Sequence, residues 1–313
     1  MTHHKKEVII SLCHKKKYGL LDLSKALILY GNRYEKELFF YSISSLLELV
    51  NFLKFNKNKI VCCVIWDNSI FSLLASIFIK LKKIKIIYYF HEPGGLKHKI
   101  DNLNVSYKLA ILQFTSEIFF KFISDFTAVS LKKNIKYGNF FLPILYSDLR
   151  PSRKRNLKKI GFIGFKKKER CPKLFEDVIY YLRPKGYDAA YFPSDQYGFS
   201  ETDKFNFLSK VDIVWNVFCC PNNLSAVTGD AFMSKTPLII SKYERFGALL
   251  KKHNLCIKIN ISNTPEQIAN KILFYLQNNN KSLINIKEDQ AKFGGSSAYI
   301  KYWHPTFNFL KNK

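Results

Sequence analysis

A histidine and a glutamate lie at a sharp break in the chain. His91 and Glu92 directly follow an apolar run that predicts a β-strand over Ile84–Phe90, and Pro93–Gly95 comes next. A histidine at the end of a strand can donate a hydrogen bond to a hydroxyl group or transfer a proton near neutral pH. The proline and two glycines allow a tight turn with room for a ligand. We expect His91 and Glu92 to be catalytic; the alternative is a histidine that only stabilises the turn.

A group of cations follows a strand in the second half of the chain. The strand predicted over Lys158–Phe165 carries Gly164 near its end, and Lys167, Lys168 and Arg170 come soon after it. Cationic side chains at such a strand end can bind phosphate through charge-assisted hydrogen bonds. A diphosphate in a partly dry site needs about two such partners. We expect this loop to bind phosphate groups; a solvated lysine loop is the alternative.

Alternating strands and helices are needed to position these groups. In each half of the chain, short apolar runs alternate with segments of helical periodicity, which indicates a parallel sheet with helices on both faces. The polar, basic segment Ser147–Asn156 contains a proline and predicts an interdomain linker. The predicted domains are residues 1–148 and 157–295, followed by an aromatic helix at residues 296–313. Ligands bind at the carboxyl ends of such strands, so we expect two Rossmann-like α/β domains that face a cleft.

The chain is strongly basic. Its 50 lysines and arginines and 24 acidic residues give a formal net charge of +26, and nearly all of the excess is lysine. A high content of Asn, Ile, Phe and Tyr is typical of an AT-rich coding sequence, which accounts for part of this excess. The remaining charge attracts anions such as a nucleotide, a lipid phosphate or a membrane surface. Nucleic-acid readers more often use arginine, and we find none of their motifs, so we expect no nucleic-acid partner.

Cysteine and histidine spacing indicates neither a disulfide framework nor a metal site. The seven cysteines include no Cys-x-x-Cys pair, and the seven histidines are scattered. They predict buried thiols in a reducing compartment and no metal. The longest apolar stretch, Ser69–Ile79, is followed by several lysines and is too short to cross a bilayer. The first residues contain no signal-peptide core. We expect a cytoplasmic protein, in solution or peripheral on the inner face of the membrane.

The order of motifs resembles that of the group-1, or family-four, GT-B glycosyltransferases over most of the chain. The matching segments are Tyr18–Leu20, His91–Pro93, Ser124–Ser130, Ile160–Phe165 and Gly229–Ile239. The resemblance implies an N-terminal acceptor domain, a C-terminal nucleotide-sugar domain, and a terminal helix that crosses back to the N-terminal domain. It implies no cofactor besides the nucleotide-sugar donor. The chain has no Asp-x-Asp, the metal-binding pair of the other large glycosyltransferase fold.

The resemblance also assigns donor-binding roles to individual residues. Gly19 lies in the loop next to the donor phosphates, and Arg170 takes the position of a phosphate-binding lysine. Asp230 takes the position of a carboxylate that accepts hydrogen bonds from the donor ribose. Asn216 lies on the strand predicted over Val211–Phe218 of the same domain and is expected to point towards the cleft. Ser225 begins a predicted helix whose backbone N–H groups can bind phosphate. For Gly19 and Asp230 the alternatives are an ordinary turn and a carboxylate favoured by the helix dipole.

Two positions depart from the family pattern. Phe165 stands where the family has an arginine, and Asn222 stands where a glutamate contacts the donor sugar. Either the donor is held differently at Asn222, or the protein belongs to a divergent branch of the family; an inactive transferase is a further alternative. In the active case, the resemblance implies that His91 contacts the transferred sugar near its reactive carbon.

The implied activity is transfer of a hexose-like sugar from a nucleotide-diphosphate sugar to a glycan or lipid-linked saccharide. Bacterial surface polysaccharide, such as O-antigen, capsule or lipopolysaccharide, is the expected product. Cations and helix dipoles would stabilise the leaving diphosphate without a metal. Aromatic stretches at Phe52–Phe55 and Ile118–Phe122, with the many lysines, suggest contact with an anionic membrane surface. The alternatives are a sugar-nucleotide epimerase of the same fold, a basic protein that binds membrane or nucleic-acid surfaces, and an inactive relative.

Overall fold

The structure, a computed structural model, describes most of the chain. The described residues are 7–14, 18–90, 107–129, 138–143, 145, 157–164, 168–192, 201–219, 225–244, 246–278, 286, 289–290 and 295–312. The chain divides into two units, the first with Met1–Tyr146 and Ala291–Lys313 and the second with Ser147–Gln290. Each unit contains one sheet in which all the strands are parallel.

Six strands form the sheet of the first unit. They are β1 (Glu7–Leu12), β2 (Leu38–Ile43), β3 (Ile60–Ile65), β4 (Lys85–Phe90), β5 (Phe126–Val129) and β6 (Phe140–Phe141). Their order across the sheet is β2-β1-β3-β4-β5-β6. In the register, Ile10 pairs with Tyr41 on β2 and with Cys63 on β3. The central strands are almost continuously apolar because both faces of the sheet are covered.

Helices cover the two faces of this sheet differently. They are α1 (Tyr18–Tyr34), α2 (Leu46–Asn56), α3 (Ile70–Leu81) and α4 (Tyr107–Ile123). Alternate residues of β1, β3 and β4 form a core with Leu49, Ala75 and Phe120, one from each of α2, α3 and α4. Ser11, which alternates with these core residues along β1, hydrogen-bonds Ser24 of α1 at 2.6 Å. Three helices therefore share one face, and α1 lies on the other.

The second unit has five strands and five helices in its described part. The strands are β7 (Lys159–Ile163), β8 (Asp188–Phe192), β9 (Ile213–Asn216), β10 (Leu238–Ile240) and β11 (Cys256–Lys258), in the order β11-β10-β9-β7-β8. The helices are α5 (Pro172–Leu182), α6 (Glu201–Leu208), α7 (Ala226–Ser234), α8 (Gly247–Lys252) and α9 (Pro265–Asn278). Because β10, β9 and β7 are neighbours, their carboxyl ends lie side by side.

The C-terminal segment packs within the first unit. It consists of α10 (Gly295–Ala298), a π-helical turn (Tyr299–Trp303) and α11 (His304–Lys311). The Trp303 ring stacks on Tyr89 at 5.9 Å, and its indole N–H donates to the Pro143 carbonyl at 3.0 Å. The helix widens at this turn because Pro305 has no N–H to continue the α-helical pattern.

The predicted α/β class with two Rossmann-like parallel sheets is confirmed. The sequence does not predict α6, whose residues form no clear apolar face. The predicted linker Ser147–Asn156 lies entirely outside the described residues. Among the helices that the structure describes, none is long and apolar enough to span a bilayer.

Candidate functional site

Gly164 and Arg170 come together at the carboxyl end of β7. Gly164 has φ +102°, a backbone conformation that residues with a side chain rarely adopt. The Arg170 guanidinium lies against it, and a Cβ on residue 164 would be 1.9 Å from Nη1. The same Nη1 donates a hydrogen bond to the Ile163 carbonyl, the last of β7. Only a glycine at residue 164 lets the guanidinium reach the end of the strand.

The surroundings of Arg170 remove part of its hydration. Its guanidinium carbon lies 5.2 Å from the centre of the Phe218 ring. The Trp215 indole N–H donates to the Arg170 carbonyl at 3.1 Å, which fixes the backbone of this turn. Burial lowers the pKa of Arg170 to about 10, and the nearby charge of Glu169 opposes that shift. An anion beside the guanidinium would offset the cost of desolvation.

A hydrogen-bond network joins the end of β9 to the start of α7 and to the loop after β10. The buried Asn216 side chain donates from Nδ2 to Thr228 Oγ1 and to Glu244 Oε2, both at 2.9 Å. Its Oδ1 accepts from the Ser225 hydroxyl at 3.0 Å. The Thr228 hydroxyl in turn donates to Glu244 Oε2 at 2.9 Å. The network therefore holds the first turn of α7 at the carboxyl edge of the sheet.

Asp230 does not belong to this network. It follows Thr228 by two residues on α7, about 200° around the helix axis. Its side chain is buried, and its Oδ2 lies 2.9 Å from Nζ of Lys204 on α6. The structure thus brings Asn216 and Ser225 together and leaves Asp230 on another face of the helix. The predicted contact of Asp230 with a ribose stays a prediction.

Loop contacts connect the strand ends to one another. The Cys219 N–H, in the loop after β9, donates to the Glu169 carbonyl at 2.9 Å. The Ser241 hydroxyl, after β10, donates to the Phe218 carbonyl at 2.7 Å. The turns that follow β7, β9 and β10 are therefore held against one another, and Arg170 and Asn216 lie on the same edge of one sheet.

A cavity of about 1090 Å³ borders this edge beyond β10. Glu244 lines it, together with four lysines and two aromatic rings: Lys242, Lys251, Lys258, Lys271, Phe274 and Tyr275. Lys271 is held in place because its Nζ donates to the Lys258 carbonyl at 2.8 Å. The cavity is large enough for a nucleoside and carries an excess of positive charge.

No protein-family model and no curated protein matches the sequence of this chain. Known structures, in contrast, resemble it over nearly its whole length. HepE from Anabaena, solved with UDP and glucose, has a TM-score of 0.61 at 10% identity and covers 97% of both chains. The lipopolysaccharide outer core galactosyltransferase WaaB has a TM-score of 0.52 at 12% identity, over 98% of this chain and 99% of its own. A protein from Listeria monocytogenes assigned as a UDP-N-acetylglucosamine 2-epimerase has a TM-score of 0.58 at 11% identity, over 98% of each.

The chain has the GT-B fold. The resemblance to GT-B glycosyltransferases drawn from the motifs is thus confirmed at the level of the fold. One of the similar structures is assigned as an epimerase. The GT-B fold is therefore compatible with more than one reaction, and the reaction depends on individual side chains.

Several predicted residues of this GT-B chain lie outside the described residues. They are His91, Glu92, Lys167 and Asn222, and Phe165 lies outside as well. Their roles stay predictions. Among the described ones, Gly19 is the second residue of α1 and so belongs to the helix itself. Lys168 is exposed and begins the 3₁₀ turn Lys168–Arg170, which leads from the β7 loop to Arg170.

Sequence reasoning missed Glu244 and the role of the Thr228 side chain, although it placed the Thr228 backbone near phosphate. Thr228 resembles any helical threonine, and only its bond to Asn216 gives it a role. Glu244 could have been found from the sequence, because a carboxylate four residues beyond the end of a parallel strand lies at the edge where such sheets bind ligands.

A second buried network in the first unit was also missed. Asp67, just after β3, is buried and accepts hydrogen bonds from the backbone N–H of His14 at 2.7 Å and of Ser69 at 2.8 Å. It also accepts from the Ser72 hydroxyl at 2.9 Å. The carboxylate thereby ties the residues after β1 to the start of α3, at the carboxyl edge of the first sheet.

Proposed function

We propose that the protein is a glycosyltransferase that moves a hexose-like sugar from a nucleoside-diphosphate sugar to a saccharide acceptor. The contact between Arg170 and Gly164 at the end of β7 supports this most directly. A diphosphate is the ligand that a desolvated guanidinium at a Rossmann-like strand end would favour, because it accepts bidentate, charge-assisted hydrogen bonds. HepE, which has the same fold, was solved with UDP.

In this proposal Arg170 binds the diphosphate, and Lys167 or Lys168 adds a second positive charge. The N-terminus of α7, which Ser225 and Asn216 hold in position, adds its dipole. These fixed charges would stabilise the leaving diphosphate in the transition state, so the reaction would need neither a metal nor a cofactor. His91 and Glu92 keep the catalytic roles that the family resemblance implies.

The ribose-binding carboxylate has two candidates. The family resemblance assigns Asp230, whose carboxylate is buried beside Lys204. The geometry favours Glu244, which is partly exposed, contacts Asn216 and lines the basic cavity. We propose Glu244, because a carboxylate can accept a hydrogen bond from a ligand hydroxyl only where the ligand can reach it.

We propose the acceptor only by its chemical class. A glycan or lipid-linked saccharide of bacterial surface polysaccharide fits the family resemblance, and WaaB, with the same fold, is a lipopolysaccharide galactosyltransferase. An epimerase is the second candidate, because a protein assigned to that activity has the same fold. An epimerase would convert a UDP-sugar without an acceptor, whereas a transferase would need one.

Thermal unfolding of the full chain with UDP, GDP, dTDP, CMP and their sugar conjugates tests the donor site. A ligand at about 100 times its dissociation constant adds about 2.7 kcal/mol of stability. We expect one nucleotide family to raise Tm and Arg170→Ala to abolish that rise. Arg183→Ala is the matched control, because Arg183 is an exposed arginine of the same unit that pairs with Asp188. No rise with any nucleotide, or a full rise in Arg170→Ala, would contradict the proposal.

A further inference from the structure

One helix of the first unit is turned with its large apolar residues outward. On α3, Ile70, Leu74, Ile77 and Leu81 are 77%, 46%, 39% and 74% exposed. Their spacing of four, three and four residues places them on one side of the helix. Its fully buried residues are mostly small, Ser72, Ala75 and Ser76 with Ile79, whereas Phe71, Leu73 and Phe78 are half-buried against the core. A helix that only covered a core would not expose a row of four large apolar residues.

The two helices beside α3 extend this apolar surface. α3 packs against both α2 and α4, and the three helices cover the same face of the sheet. Phe55 of α2 is 80% exposed and Phe122 of α4 is 84% exposed. Leu47 and Leu112 also face solvent. Apolar patches that continue over three elements are uncommon on proteins that bind nothing there.

The structure corrects which aromatic residues belong to this surface. Of the stretches Phe52–Phe55 and Ile118–Phe122, Leu53 and Phe120 are buried in the core. Phe52 packs against the core as well, with its ring stacked on Tyr41 at 4.6 Å. The exposed apolar residues of these stretches are therefore Phe55, Ile118 and Phe122, and they are joined by the row on α3, which the sequence did not single out.

Lysines accompany the apolar surface where α2 and α3 end. A cavity of about 890 Å³ is lined by Lys54, Lys57, Lys59 and Lys82, together with apolar residues that include Phe55. Lys82 Nζ lies 5.6 Å from the centre of the Phe78 ring, so its ammonium group makes a cation–π contact. Four ammonium groups beside exposed aliphatic and aromatic side chains match the chemistry of a phosphate headgroup attached to acyl chains.

We propose that the outward face of α2, α3 and α4 docks on an anionic lipid bilayer. Leu81, Phe55 and Phe122 would enter the boundary between headgroups and acyl chains, and the lysines of the cavity would bind lipid phosphates. A second copy of this chain would also carry a net charge of +26, which argues against self-association. The inference concerns the first unit alone and does not depend on the proposed donor site.

Vesicle flotation of the full chain tests the proposal, with phosphatidylcholine vesicles that contain or lack phosphatidylglycerol. We expect binding that requires phosphatidylglycerol and weakens as salt is raised. The double variant Leu81→Ser, Phe122→Ser should weaken partitioning at least ~10-fold, because two large apolar side chains are lost. The variant Lys57→Ser, Lys59→Ser, Lys82→Ser should weaken it about 5-fold or more per lysine.

Matched controls come from the second unit. Tyr180→Ser removes an aromatic side chain that is 71% exposed, and Lys173→Ser, Lys185→Ser, Lys210→Ser removes three exposed lysines. We expect both controls to float like the wild type, and all variants to keep the wild-type Tm because none of these side chains is buried. Absence of flotation at low salt would overturn the proposal. Equal loss of binding in the controls would overturn it too. The proposal would also be overturned if the wild type were a dimer and the variant Leu81→Ser, Phe122→Ser were a monomer.

Discussion

Arg170 occupies the space into which a side chain at Gly164 would project, with Nη1 only 1.9 Å from the position of a Cβ. Alanine at residue 164 would therefore displace the guanidinium as well as strain the positive φ. We expect Gly164→Ala to lower the free energy of unfolding by ~1–3 kcal/mol and to remove stabilisation by nucleotides. Gly247→Ala is the control, because its Cβ would be at an ordinary 3.4 Å from Ile240. Thermal unfolding with and without UDP measures both effects, and unchanged nucleotide stabilisation in Gly164→Ala would separate Arg170 from the donor site.

Glu244 and Asp230 can be distinguished by removing each negative charge. We expect Glu244→Gln to weaken nucleotide binding about tenfold, because a charged acceptor for a hydroxyl is lost. Asp230→Asn should change affinity little but lower the free energy of unfolding by ~3 kcal/mol, because Lys204 loses its buried partner. Calorimetric titration and urea unfolding measure the two quantities. The reverse pattern, with affinity lost only in Asp230→Asn, would restore Asp230 as the ribose ligand.

We expect Asp67 to contribute strongly to the stability of the folded protein. Its carboxylate is buried and accepts hydrogen bonds from His14, Ser69 and Ser72. Asp67→Ala leaves these three donors unpaired, and we expect the free energy of unfolding to fall by ~3 kcal/mol. Asp188→Ala, at an exposed carboxylate, should change the urea midpoint little. Equal urea midpoints for the two variants would show that the network contributes little.

The fourth prediction concerns alkaline pH. Burial raises the pKa of Tyr299 above its usual value of 10.0, and the hydrogen bond to Glu35 and that residue's negative charge raise it further. Above pH 10 the unfolded chain therefore loses this proton while the folded chain keeps it, so stability falls as pH rises. We expect the fall in Tm above pH 10 to be shallower in Tyr299→Phe than in the wild type. Tyr180→Phe, at a side chain 71% exposed, is the control. Parallel curves for wild type and Tyr299→Phe would contradict the assignment.

Much of the fold follows from local pattern. The apolar spacing of the sequence predicts a strand over Leu38–Ile43 and helices over Tyr107–Ile123 and Pro172–Leu182, and β2, α4 and α5 have these bounds. Apolar runs between helical segments suffice for this, because a parallel sheet covered on both faces needs strands without alternation. Helix α6 was missed because its apolar residues form no stripe.

The candidate site was likewise predictable from the sequence only in part. Gly164 and Arg170 are six residues apart in one loop, so the sequence alone could join them into a phosphate-binding candidate. Glu244, by contrast, reaches Asn216 across 28 residues, and Lys204 reaches Asp230 from the unpredicted helix α6. Periodicity carries no information about which side chains meet when separate elements pack.

What the sequence by itself determined is the class of the protein: two parallel α/β units, with a cationic, glycine-containing turn at the start of the second. The tertiary structure alone decided that Glu244, rather than Asp230, lies beside Asn216, and that Ile70, Leu74, Ile77 and Leu81 face outward. α3 is apolar around most of its surface, so hydrophobicity does not tell which side is buried. The choice is made by packing: Ala75 and the small serines allow α3 to approach the sheet closely, Phe71, Leu73 and Phe78 pack against the core, and the four outward residues stay exposed.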